Sequence, residues 1–191
     1  MKTFHFKIQI KGIQNPPVWR RVVVPVDITF DTFHQIIQAA FDWSDCHLYH
    51  FSLHAWGAKP VYKIPDEEGY DDYEAEDSRT VKLSEVFSSP KQTFTYMYDF
   101  GDNWDHSITL EKIADETIIS ALCTDGKGAC PPEDCGGIPG YHYLLEVLND
   151  PKNPEHKEMK SWLGMAKNDR WDVNRFDTIA ANMRCADIPL V

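Results

Sequence analysis

The sequence predicts an α+β domain built on a mainly antiparallel, roll-like sheet, with a long helix after the second strand and a helical C-terminal third. Three observations predict it. Apolar residues alternate strictly at the amino terminus and again on either side of residue 100, one early stretch has three-and-four spacing, and helical spacing takes over beyond Gly140. There is no internal repeat and no linker that would divide the chain, so a single domain over residues 1–191 is expected.

Thr3 to Lys11 alternates with Phe4, Phe6, Ile8 and Ile10 on one side, the pattern of a half-buried strand. Asn15-Pro16-Pro17 breaks it, and Val18 to Val24 is a second strand closed by Pro25. Thr29 can cap a helix carrying Phe30, Phe33, Ile36, Ile37, Ala40 and Phe41 on one face. His47 to Leu53 alternates again as a third strand. Eight acids fall between Asp66 and Asp77, which predicts a solvated, mobile loop at about 66–78. A short strand around Val81 and a helical turn near Ser84 to Phe87 follow. Thr93 to Asp99 and Trp104 to Ile113 form a hairpin through Phe100-Gly101-Asp102-Asn103, and Glu116 to Leu122, rich in Thr and Ile, is the next strand. A Gly/Pro/Cys loop runs from Cys123 to Gly140. Helices are then expected around Tyr141, Leu144, Leu145 and Leu148, from Asn153-Pro154 to Gly164, and over Asp177 to Met183.

The formal charge is −11, from 30 acids and 19 bases, but the acidic loop carries most of the excess. The near-balanced remainder offers no basic field for duplex DNA, so nucleic-acid binding by the chain alone is disfavoured. No apolar run approaches the ~20 residues of a membrane span. Five cysteines without an export signal point to reduced thiols in a cytoplasm.

Three polar clusters carry potential chemistry. Tyr96 to His106 packs Asp99, Asp102, Asp105 and His106 with aromatic residues, Trp104 among them, around one turn. Carboxylates bonding turn amides and a satisfied core histidine explain it without a site. The functional alternative brings His47 to His106, Asp99 and Asp102 as a His/Asp set for zinc or another divalent metal. His50 faces the opposite side of its strand from His47 and is not part of that set. The third cluster, Cys123, Cys130 and Cys135 with His142, resembles a structural zinc site in composition but lacks the tight knuckle spacing. Glu133-Asp134 can cap the segment after Gly136. Trp19, Arg20 and Arg21 fit a buried tryptophan beside a carboxylate-paired arginine, with anion binding as the alternative.

Taken in order, Pro16-Pro-Val-Trp-Arg-Arg21, His47-Leu48 with Phe51, Tyr98-Asp-Phe-Gly-Asp102 with Trp104 and His106, Glu111-Lys112, Pro131-Pro-Glu-Asp134 with Gly136-Gly and Gly140-Tyr141, and Trp162-Leu-Gly164 resemble the plasmid pRi open-reading-frame-three-like family. Some of its members sit in mobile elements and carry a TnpR-like resolvase label. The resemblance implies a single α+β domain with a roll-like sheet. It maps the family's shared positions onto His47, Asp99, Asp102, His106, Glu133 and Asp134, with Cys130 and Cys135 less constant. A resolvase needs a Ser or Tyr nucleophile beside several arginines; the six arginines here fall in no such motif, and no basic recognition helix is present.

The function expected first is therefore a non-catalytic cytoplasmic interaction module acting with a protein partner, in a mobile-element context. A metal-dependent hydrolase using the His/Asp set is the alternative, and a DNA-binding or resolvase-like protein comes third.

Overall fold

The computed structural model describes residues 2–54, 58–65 and 75–190. Among them run β1 (Lys2–Ile10), β2 (Trp19–Pro25), α1 (Phe30–Phe41), β3 (Tyr49–Ser52), β4 (Val61–Lys63), β5 (Glu76–Asp77), α2 (Leu83–Val86), β6 (Thr93–Tyr98), β7 (Trp104–Asp115), β8 (Leu122–Lys127), α3 (Gly137–Asn149), α4 (His156–Trp162) and α5 (Thr178–Ala186). The strands make one sheet in the order β5-β4-β3-β6-β7-β1-β2-β8, antiparallel throughout except for the short β4–β5 pair. The α+β class, the antiparallel sheet and the helical final third are as the sequence predicts.

The alternation in β1 decides the centre of the sheet. Phe4, Phe6, Ile8 and Ile10 are buried on one face, and the strand is hydrogen-bonded to β2 on one side and β7 on the other. α1 lies across that face. Thr29 Oγ1 accepts from the Thr32 amide at 3.1 Å to start it, and Asp42 in the left-handed region ends it. Aromatic residues fill the interface: the rings of Phe6 and Phe33 are 4.9 Å apart, and Phe30 stacks on Tyr62 at 4.4 Å. One continuous core results, and α5 packs against both α1 and β8.

Four expectations need correction. Glu116 to Ala121 is unpaired, with Ile119 wholly exposed; the strand is β8, where Val22 and Val23 of β2 pair with Cys123 and Leu122. Strand identity went to the segment that could bury its backbone on a free sheet edge, which outweighs Thr/Ile propensity. Val81 is not a strand either, since only an isolated bridge from Thr29 to Lys82 forms there. The predicted acidic loop lies outside the described residues over 66–74, but its tail is ordered: Glu76–Asp77 pair with β4, and buried Ser78 meets the Tyr49 hydroxyl at 2.9 Å. Asn153 does not cap a helix at Pro154; it accepts from the Glu155 amide at 2.9 Å in a side-chain turn, and α4 starts at His156. Among the described residues, no helix is long and apolar enough to cross a membrane.

Candidate metal centre

Three loops converge at one end of the sheet: the segment after α1, the β6–β7 turn, and the loop before α3. The turn is built by Asp99 and Asn103, both at positive φ, where short polar side chains are tolerated. Asp99 Oδ1 accepts from the amides of Gly101 (2.8 Å) and Asp102 (3.2 Å), and its own amide donates to Leu48 O at 2.9 Å. That fixes the carboxylate, only 10% exposed, with Oδ2 turned toward His47 Nε2 at 3.6 Å. From the third loop, Asp134, also at positive φ, brings Oδ1 within 3.2 Å of the same nitrogen. His47 Nε2 is shielded from solvent and makes no well-formed hydrogen bond among the described residues. Cys46, His47 and Glu133 form an adjoining set, and in each trio the ligand atoms lie within 4.8 Å of one another.

The loop before α3 is held from several sides. Trp43 Nε1 donates to Pro131 O at 3.0 Å, and the Gly136 amide donates to Asp102 Oδ2 at 3.1 Å. Glu133 accepts from the Tyr98 hydroxyl (2.5 Å), the Ser44 amide (3.0 Å) and the Cys46 thiol (3.5 Å). Burial pushes the Glu133 carboxyl up, but those three donors outweigh it and hold it below the usual carboxylate range. The Tyr98 hydroxyl is raised by burial and then by its bond to that carboxylate. Burial and the neighbouring Glu133 also raise the Cys46 thiol.

His47 and Asp99 do meet, as the metal alternative requires, but His106 and Asp102 are in neither ligand set. His106 is fully buried beneath Phe41, Trp43 and Tyr96, and its Nδ1 donates to the carbonyls of Trp104 (2.8 Å) and Tyr96 (3.2 Å). It takes the place of a core residue. Asp102 anchors Gly136 instead. Trp104 is wholly buried, its ring tilted against that of Trp43 at 5.9 Å. The cysteine set does not assemble among the described residues: Cys123 lies under α5, Cys130 lies beside Arg20, Cys135 neighbours Asp102, and His142 is exposed. Glu133 and Asp134 do not cap α3. The Gly136 amide goes to Asp102, leaving both acids for the loop cluster.

Trp19 takes Lys7 and Arg21 over its ring, at 5.2 and 4.8 Å. Arg21 is the carboxylate-paired arginine, bound to Glu111 at 2.8 Å and Asp125 at 3.0 Å. Among the described residues Arg20 forms no ion pair with a carboxylate; it is buried against backbone carbonyls. The residues missed from sequence are Cys46 and Tyr98 as partners of Glu133. Cys46 stands next to His47, which was the one available signal.

A model of plasmid pRiA4b ORF-3-like proteins matches residues 2–180. The chain belongs to that family. Uncharacterized protein y4hQ of Sinorhizobium fredii (strain NBRC 101917 / NGR234) is 39% identical over 173 residues, covering 87% of this chain and 80% of that protein. The crystal structure of a protein of unknown function, MM3350 of Methanosarcina mazei Go1, aligns with a TM-score of 0.77 at 35% identity, over 93% of this chain and 96% of that one.

Proposed function

We propose that this chain is a divalent-metal-binding protein, with His47, Asp99 and Asp134 as ligands, and that the metal supports hydrolysis. One observation carries this reading: His47 Nε2, shielded and without a hydrogen bond among the described residues, faces two carboxylate oxygens brought by two other loops. An imidazole with two carboxylates suits zinc, manganese or iron, and three protein ligands on an open rim leave positions for water. The bonds that the Gly101 and Asp102 amides donate to Asp99 orient that ligand from behind. In this reading Glu133, which neighbours His47, is the group that takes a proton from water.

Calorimetric titration with zinc and manganese chloride tests the site. The parent is expected to bind one equivalent, and His47→Ala or Asp99→Asn to bind at least tenfold more weakly, about 1.4 kcal/mol. His142→Ala is expected to match the parent. A parent that takes up neither metal, or a His47→Ala variant that binds as the parent does, overturns the reading. Glu133→Gln should keep the metal and lose turnover of ester substrates.

The interaction-module reading has its own support. A cleft of about 330 Å³ between α3 and α4 combines Asp134, Glu155 and Glu158 with exposed Trp162 and Tyr143. Carboxylates over aromatic walls suit a lysine or arginine side chain of a protein partner. A basic peptide should therefore bind the parent and lose about tenfold in affinity to Glu158→Gln, read by fluorescence anisotropy. Five free thiols favour a reducing, cytoplasmic setting.

A further inference from the structure

Among the described residues Arg20 has no carboxylate within ion-pair distance; Asp42 acts on it only from farther off. Its side chain is 3% exposed, and a guanidinium keeps its proton under all ordinary conditions. Nε donates to Ala40 O at 3.0 Å, Nη1 to Trp19 O at 2.8 Å and Lys127 O at 3.0 Å, and Nη2 to Gly128 O at 3.1 Å. All four acceptors are neutral carbonyls, and the fifth N–H, on Nη2, has no acceptor among the described residues. Phe41 and Phe176 stack on the group at 4.9 and 4.2 Å. Nothing wider than glycine fits at 126, where a Cβ would strike the Phe176 ring and the Arg20 stem. Buried charges in proteins are ordinarily matched by opposite charge, because desolvation of a lone ion costs several kcal/mol. Here no close ion pair supplies the match among the described residues.

Arg20 lines a cleft of about 830 Å³ between the end of α1, the loop before α3 and the segment leading into α5. The cleft is large enough for a drug-sized ligand. Trp43, Trp171 and Phe176 supply flat apolar wall, and Arg170 and Arg175 stand on it with no ion pair among the described residues. The carboxylates of the wall are held in place by other partners, although among the described residues only Asp42 of them is charge-paired. Asp42 pairs with Arg184 at 3.2 Å, and Glu133 serves Tyr98 and Ser44. Asp169, Asp172 and Asp177 accept from the amides of Ala166, Asn174 and Ala180. The cations that remain available are Arg20 at the base and Arg170 and Arg175 above it.

We propose that this cleft binds an oxyanion group, phosphate or carboxylate, carried on a flat aromatic ligand: the anion answers Arg20, Arg170 and Arg175 while the ring lies against the tryptophans. Arginine is the side chain whose planar fork suits such groups. The site shares only the neighbouring Glu133 with the metal centre and does not depend on it.

Phenyl phosphate, benzoate and inorganic phosphate are the probes, titrated into the full chain with tryptophan fluorescence as readout. To keep the metal centre out of the result, each titration is repeated in His47→Ala. Phenyl phosphate or benzoate is expected to bind parent and His47→Ala alike, at least tenfold more tightly than inorganic phosphate, and to weaken at least tenfold in the exposed double variant Arg170→Gln/Arg175→Gln. Whichever aromatic anion binds more tightly identifies the group. The Arg20 side-chain nitrogen resonances should shift on saturation, a response that rim binding alone would not produce. Absence of binding by both aromatic anions at millimolar concentration, binding lost in His47→Ala, an unaffected double variant, or equal affinity for inorganic phosphate would each overturn the proposal.

Discussion

His106 shows how a residue that looks catalytic in sequence becomes structural in place. Nδ1 must carry the proton, because both of its partners are carbonyl oxygens, and Nε2 is left in an aromatic enclosure without a partner among the described residues. Burial, only partly offset by those carbonyls, pushes its pKa down to about 4. The unfolded chain therefore takes up a proton below about pH 6.5 that the native state refuses. The stability tied to the neutral ring is fully present above pH 6.5 and is lost as pH falls toward 4, by about 3 kcal/mol. Urea midpoints measured between pH 7.5 and 4.5 should fall on acidification, and His106→Gln should flatten that fall even though it lowers the midpoint at pH 7. An unchanged slope in the variant would assign the acid sensitivity elsewhere. Alternation with Trp104, Ile108 and Leu110 was enough to place His106 inward. Which histidine meets Asp99 was not legible, because it depends on the loop after α1 folding back onto the β6–β7 turn, a contact made by the Asp99 amide and Leu48 that leaves no periodic trace.

At the scale of elements, what could be read was whatever had a period. The Thr29 cap places α1, and alternation places β1 and β7, which bury one face, and β6, which alternates in sequence but is buried on both faces. β4, at three residues, is too short to show alternation, and β8 owes its place to the free edge of β2. The entry to α3 shows the same limit. Gly136 and Gly137 both have positive φ, and a Cβ at residue 137 would run into the Asp102 carbonyl. The pair of glycines is visible in sequence, but the turn against which it packs, some 34 residues earlier, is not. Gly137→Ala combines backbone strain with a collision against main chain, for which a loss of about 2–4 kcal/mol is expected. Because the same contact sets the position of Asp134, the variant should also weaken metal binding. Thermal unfolding and zinc titration of one sample check both effects, and a variant as stable as the parent would mean that the loop can shift away from the turn.

The whole molecule is one continuous sheet-and-helix core, and its C-terminal layer, packed in through Tyr141, Leu144, Ala181 and Cys185, is also tied at a few polar points. Arg184 Nε donates to Ala39 O at 2.8 Å, Trp43 holds Pro131, the Cys185 thiol reaches Ile36 O at 3.7 Å, and Arg20 joins β2 to the end of α1 and to the strand edge at Lys127 and Gly128. Arg20 differs from the others because it ties three elements through one planar group. Lysine in its place keeps the charge but cannot reach four carbonyls lying in different directions, and it leaves acceptors unpaired in a dry site. Arg20→Lys is therefore expected to cost about 2–4 kcal/mol. The loss should also be uneven. β1, β6 and β7 keep their pairing and their aromatic packing, whereas β8 loses the group that clamps it to the end of α1, and α5, which packs on β8, loses that support with it. Native-state hydrogen exchange should show protection falling first in Leu122–Lys127 and Thr178–Ala186, with the central strands opening only in the global transition. Uniform loss of protection across the sheet would show instead that the C-terminal layer and the core unfold as one unit, with Arg20 as one contributor among many.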